Sequence, residues 1–193
     1  MDLELRNSFV ALRHGQSVAN AQRMIVSNPD TGCHGFGLTE EGRIAVANQA
    51  SSILKICGGS PRILSSDFLG AVQTAEMLAE KSGTQVEVRN ELRERWFGDL
   101  DQKDNSSYQQ VWDQDQCDPS HTQWNVESVE SVVERTVGLV RDLNEKFENE
   151  VFVLISHSDP IQILTTWFKK VPSASHRELE MVLPGQLQIL HLS

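Results

Sequence analysis

Apolar positions along this chain follow two rhythms. Short stretches at 9–13, 62–65, 86–88, 151–155 and 186–192 have the length and composition of strands. Between them, apolar residues recur at helical spacing. Thr39 caps a helix whose first turn carries Glu40 and Glu41; its stripe is Val46, Ala50, Ile53, Leu54 and Cys57, and Gly58-Gly59 stops it. Ser66 or Asp67 caps a second helix running to about Lys81, buried through Ala71, Ala75 and Leu78. The acidic stretch 99–124 reads as loop with one short helix near 107–114. A long helix over 128–148 follows, buried through Val129, Val132, Val133, Val137, Val140 and Leu143, and the last helix begins at Pro160, a residue type favoured at the first helical position. This alternation predicts an α/β fold: a single domain over residues 1–193, built as a three-layer sandwich with a mostly parallel central sheet and helices on both faces.

Such sheets bind ligands at the carboxyl ends of their strands. Two histidines fall there: His14, in Arg13-His14-Gly15 after the first strand, and His157, in Ile155-Ser156-His157-Ser158 after the fourth. Gly15 is read as letting a substrate come close, and Glu94 stands between the histidines in the chain.

Neutral imidazole offers an unprotonated nitrogen, so His14 can attack phosphorus without a separate base. Phosphoryl transfer then depends mainly on positioning and charge neutralisation. Arg13 supplies a planar donor set for two phosphoryl oxygens, and Ser17 and Asn20 add neutral donors. His157, as a cation, would hold a third oxygen, and Glu94 would give the leaving alkoxide its proton. Side chains alternate in an extended segment, so Glu94 should point away from Arg93 and Arg95.

Composition narrows the partners. With 193 residues, 39% of them hydrophobic, the chain can bury a sizeable core. A formal charge of -10 without a basic block argues against nucleic acid, so an anionic ligand must be drawn in by local cations. Cys33, Cys57 and Cys117 lack metal-type spacing, and Cys33-His34 lacks further ligands. With no secretory leader or membrane span read at sequence level, a reducing, cytoplasmic location is expected.

These motifs, in their order, make the chain resemble the histidine phosphatase superfamily, the phosphoglycerate mutase-like group. Leu12-Arg-His-Gly-Gln-Ser-Val-Ala-Asn20 resembles its opening block, Gly37-Leu-Thr-Glu-Glu-Gly42 its Leu-Thr-x-x-Gly helix start and Ser65-Ser-Asp-Phe-Leu-Gly-Ala-Val-Gln-Thr-Ala75 its second block. Leu92-Arg-Glu-Arg-Trp-Phe-Gly98 resembles its acid-bearing block and Ile155-Ser-His157 its closing one. The resemblance implies a phosphomonoester hydrolase working through a phosphohistidine on a small phosphorylated metabolite. The family's roles fall on His14 as nucleophile, Arg13, Asn20 and His157 as phosphate pocket and Glu94 as proton donor. The catalytic residues are thus expected to be His14, Glu94 and His157; with Ser17, Arg95 and Ser158 added from their places in this chain, the substrate-binding residues are expected to be Arg13, Ser17, Asn20, Arg95 and Ser158. No metal or organic cofactor is implied, no membrane is expected as partner, and the oligomeric state is not readable.

The chain departs from the family pattern at Gly70, where an arginine normally contributes to the phosphate pocket; Arg95 and Arg62 are the candidate substitutes. It departs again at Ser158-Asp159, where a glycine usually follows the closing histidine, and at Leu100-Asp-Gln102. Mutase-type members carry a longer insertion after the acid. An acidic lid made of Asp99, Asp101, Asp104, Asp113, Asp115 and Asp118 would repel a bisphosphate, which favours hydrolysis; the competing reading makes these aspartates a solvated face. The alternatives are mutase-type phosphoryl transfer and a catalytically impaired, phosphate-binding pseudo-phosphatase.

Overall fold

Strand β1, Ser8–Arg13, is an interior strand with Phe9, Val10, Ala11 and Leu12 all buried. In this computed structural model, which describes residues 4–193, the short helices α1 (Val18–Ala21) and α2 (Pro29–Gly32) come next. The chain start from which the lack of a leader was read, residues 1–3, lies outside the described residues. Helix α3 (Glu40–Ile56) is capped as predicted, Thr39 Oγ1 accepting from the Gly42 amide at 3.0 Å, and Gly58 and Gly59 leave it with φ of 74° and 94°. Strand β2 is Arg62–Ser65, helix α4 Leu69–Ser82 and strand β3 Val86–Val88. Helices α5 (Tyr108–Cys117) and α6 (Val129–Lys146), strand β4 (Val151–Ser156), helix α7 (Ser158–Lys169) and strand β5 (Leu187–His191) complete the order.

The five strands lie in the order β3-β2-β4-β1-β5; only β5 is antiparallel to its neighbour. Strand residues alternate between the two faces. Val10, Leu12, Ile63, Val153 and Ile155 pack with Val46, Ala50 and Ile53 of α3 and Ala71, Ala75 and Leu78 of α4. Phe9, Leu64, Phe152 and Leu154 pack on the other side with Val137, Val140 and Leu143 of α6 and Leu164 of α7. The predicted layering is therefore present.

Three local expectations shift. Neither Ser66 nor Asp67 caps α4: Phe68 is the N-cap residue, Ser66 Oγ accepts the Phe68 amide at 3.2 Å, and Asp67 is held by Arg93. Helix α7 starts at Ser158 rather than at Pro160, which occupies the third helical position, where a missing N–H still leaves no bond unmade. The stretch read as loop is packed into a separate core, in which its Leu100 and Val111 are buried with Ile25, Phe97 and Val126. No helix among the described residues is long and apolar enough to cross a membrane.

Candidate active site

Strand register brings the two histidines together. Arg13 pairs with Ser156 across the parallel β1–β4 ladder, so the next residue of each strand leaves the sheet at the same place. The His14 and His157 rings lie 4.9 Å apart, centroid to centroid, and 66° from coplanar. Both are buried. Beneath them the loop is fixed by a close helix: Gly42 of α3 passes so near that a Cβ there would lie 2.2 Å from Gln16 O, and a Cβ on Gly15 would lie 2.7 Å from Val46 Cγ2. Gly15 thus makes room for α3, correcting the expectation that it makes room for substrate.

His14 Nδ1 lies 2.7 Å from the Gly15 carbonyl oxygen, an acceptor only, so the ring donates there and keeps its lone pair on Nε2. Burial, reinforced by the Arg13 cation, pushes the His14 pKa down to about 4. Ser66 Oγ accepts the Phe68 amide and also bonds His157 Nε2 at 3.0 Å; with the hydroxyl donating in that bond, the His157 proton sits on Nδ1. That nitrogen lies 3.9 Å from Glu94 Oε2. Burial, with His14 and Arg13 nearby, holds the His157 pKa well below the usual value, so without ligand it is a neutral donor rather than the expected cation.

The segment bearing Glu94 is tied down from several sides. Ser156 Oγ donates to Leu92 O at 2.7 Å, and Arg135 donates to Glu91 O and Arg93 O at 2.5 and 3.0 Å. Glu94 Oε1 accepts the Arg95 amide at 2.9 Å. Burial, and then the negative charge of Asp159, raise the Glu94 pKa to about 8, so its carboxyl is protonated at neutral pH.

Two adjoining cavities meet at these groups. The narrower, about 40 Å³, is lined by His14, Ser17, Asn20, Phe36, Phe68, Gly70, Glu94 and His157. The wider, about 230 Å³, is lined by Arg13, His14, Asn20, Glu94, Tyr108, Trp112, Ser158, Asp159 and Arg177, among others. Ser17 and Asn20 cap each other reciprocally: Ser17 Oγ donates to Asn20 Oδ1 at 3.0 Å and accepts the Asn20 amide at 3.3 Å, which leaves the Asn20 amino group uncommitted. Arg13 Nη1 donates to Val182 O at 2.8 Å, while its buried Nε has no partner.

Arg95 does not join them. Its guanidinium is fully buried and grips both oxygens of Asp115 at 2.7 Å while Nε donates to Glu127 O. The alternation that aims Glu94 into the cavity carries Arg95 the other way, which corrects its assignment to substrate. Arg62 is also elsewhere, over the Phe147 ring. The acidic lid is corrected too. None of Asp99, Asp101, Asp104, Asp113, Asp115 or Asp118 lines either cavity: Asp101 accepts the Ser27 and Asn28 amides, and Asp115 is buried against Arg95 and His121.

Sequence reasoning missed Arg177 and Tyr108 as lining residues. Arg177 comes from a 3-10 segment, Ser173–Glu178, which no periodicity marks. Tyr108 stacks on Trp112 at 5.1 Å. At Gly70 a Cβ would stand 3.5 Å from His14 Nδ1, so this position does face the site.

Known proteins resemble this chain in sequence and fold. The chain is 26% identical over 191 residues to Phosphoglycerate mutase-like protein 4 of Arabidopsis thaliana, covering 95% of this chain and 79% of that protein. A mycobacterial glucosyl-3-phosphoglycerate phosphatase, solved in complex with VO3, superposes with a TM-score of 0.80 at 26% identity, over 93% of this chain and 90% of that one. A phosphoserine phosphatase from Entamoeba histolytica, solved with 3-phosphoglyceric acid, shares the fold, with a TM-score of 0.74 at 19% identity over 94% and 88% of the two chains. The family model of the histidine phosphatase superfamily (branch 1) matches residues 9–193, and the chain belongs to that superfamily.

Proposed function

We propose that this protein hydrolyses a small phosphorylated metabolite through a phosphohistidine on His14. The observation that carries the reading is the pairing of a His14 ring tied down at Nδ1, with Nε2 left free, and a buried, protonated Glu94 on the same cavity.

In the first step, Nε2 forms a bond to phosphorus as the bond from phosphorus to the ester oxygen breaks, and Glu94 transfers its proton to that oxygen. The products are a free alcohol and phosphorylated His14. In the second step, water attacks phosphorus, the bond to Nε2 breaks, and the Glu94 carboxylate takes the proton of the attacking water. Phosphate leaves, and both residues return to their starting states. Arg13, the Asn20 amino group and His157 Nδ1–H serve as donors to the phosphoryl oxygens, and Ser158, at the first position of α7, lies on the same wall.

The solved relative at 26% identity is named a phosphatase, which supports hydrolysis over transfer to a second substrate. A second reading, phosphate binding without turnover, is favoured by Gly70, which leaves Arg13 facing the phosphoryl group without a guanidinium at that position. Incubation with a radiolabelled phosphomonoester, quenched by denaturation at alkaline pH where a phosphohistidine bond survives, separates the two. Label retained on His14 and lost in His14→Ala supports the hydrolase; phosphate binding with no trapped label in either protein supports the binding module.

A further inference from the structure

Asp159 has no part in the two steps above, yet it is 3% exposed and bonded to three other parts of the chain. Its Oδ2 accepts from Trp112 Nε1 of α5 at 3.2 Å and faces Arg95 Nη1 at 3.5 Å, while Oδ1 accepts from Arg177 Nη1 at 3.2 Å. Arg177 in turn lies over the Trp112 ring, its guanidinium carbon 3.6 Å from the centroid, and also donates to Gln162. Trp112, Arg177 and Asp159 line the wider cavity together with Glu94. A carboxylate removed from water is costly unless donors surround it, so this clustering has to be held by what it organises.

We propose that Asp159 is a positioning residue for the leaving-group side of the site: its single carboxylate joins Trp112, Arg177 and Arg95 into one wall and sets a fixed negative charge toward Glu94. The inference rests on Glu94 acting as the proton donor.

The charges that reach Glu94 from the surrounding elements make the consequence specific. Arg13 at the end of β1 and Arg135 of α6 favour the ionised carboxyl, and Asp159 of α7 opposes it. Tyr108 of α5 and the two imidazoles are uncharged at neutral pH, Tyr108 because burial and Glu94 lift its pKa well above the usual value. Removing the charge of Asp159 leaves burial alone to keep the proton on Glu94. Burying a wall cation without its partner would also loosen Arg177 from Trp112.

The test compares the full-length chain with Asp159→Asn, Asp159→Glu and Arg177→Gln. Glycerol phosphate, whose alkoxide needs a proton to leave, is set against p-nitrophenyl phosphate, whose phenolate does not. The Glu94 carboxyl is titrated by NMR in every protein, a measurement that needs no turnover. In Asp159→Asn the alkaline limb for glycerol phosphate and the Glu94 midpoint should both move down by about one pH unit. KM for glycerol phosphate should rise, and Asp159→Glu should restore the limb. Arg177→Gln, which removes the cation offsetting Asp159, should move the midpoint up; it carries the test if Asp159→Asn does not fold. A Glu94 midpoint unmoved in these variants, with kcat lowered equally for both esters, would overturn the inference and reduce Asp159 to a structural role. Absence of turnover in the wild-type protein would count against the hydrolase reading alone, while the titration would still decide the part played by Asp159.

Discussion

Gly70→Arg is the perturbation that interrogates the phosphate pocket most directly. Gly70 lies in α4 without a positive φ, and the Cβ it lacks would meet His14 Nδ1 at 3.5 Å, Ser17 Cβ at 3.6 Å and Phe36 O at 3.7 Å. These are ordinary contact distances, so a side chain can start there without moving the backbone, and the narrow cavity lies directly ahead of it. Gly70 is the second residue of α4, so the roughly 0.8–1 kcal/mol gained by replacing a glycine in a helix interior is an upper limit here. A new hydrogen bond from a guanidinium to a bound phosphate contributes about 1.5–3 kcal/mol, which is roughly a 10- to 150-fold tighter phosphate Ki. With no anion bound, the new cation stands in the first turn of α4, at the positive end of its dipole, and part of the helical gain is offset. The melting temperature should therefore rise by about 2–4 °C per kcal/mol, mainly when phosphate is present. Inhibition of p-nitrophenyl phosphate hydrolysis by inorganic phosphate, paired with thermal melts at low and saturating phosphate, reads both quantities. A phosphate Ki within twofold of wild type would refute the reasoning, because the charge of the anion would then already be met by another group.

Two further outcomes follow from the same site. The kcat/KM profile should be bell-shaped: activity is lost as pH falls through about 4, where His14 becomes protonated, and as pH rises through about 8, where Glu94 loses its proton; a profile still flat at pH 9 with an alkyl phosphate would contradict the assignment of Glu94. Arg95→Met leaves Asp115 buried without its bidentate partner and should lower stability by about 3–5 kcal/mol in denaturant unfolding; a loss below about 1 kcal/mol would mean that His121 and its surroundings satisfy Asp115 unaided.

The parts of the site legible in the sequence were those attached to regular elements. His14 and His157 each end an apolar run, so their place at strand ends could be read directly. Their adjacency depends on β1 pairing with β4, a contact between residues far apart in the chain. Glu94 could be aimed by the alternation of an extended segment. The same rule, applied through to the next residue, sends Arg95 away from the ligand, and naming Arg95 as a substitute for the arginine missing at Gly70 conflicted with it. Arg177, Tyr108 and the bonding of Asp159 were not legible because no period marks a 3-10 turn or the wall of a cavity. The aspartates of 99–118 read as a lid because composition records charge but not burial; Asp115 is fully enclosed while Asp104 caps a turn at the surface.

Arg95 carries one more implication, for how ligands enter. Glu94 and the deepest anchor of this region, Arg95, are consecutive residues, so their backbone cannot lift without tearing an enclosed ion pair away from α5. Amide hydrogens here should exchange as slowly as those of the central strands, rather than at the rate of a flap. Ligand traffic would then run along the other lining of the wider cavity, which includes Met24, Asn105 and Met181, while the Glu94–Arg95 backbone stays still. Selectivity among metabolites would then be set by the width of a stationary doorway.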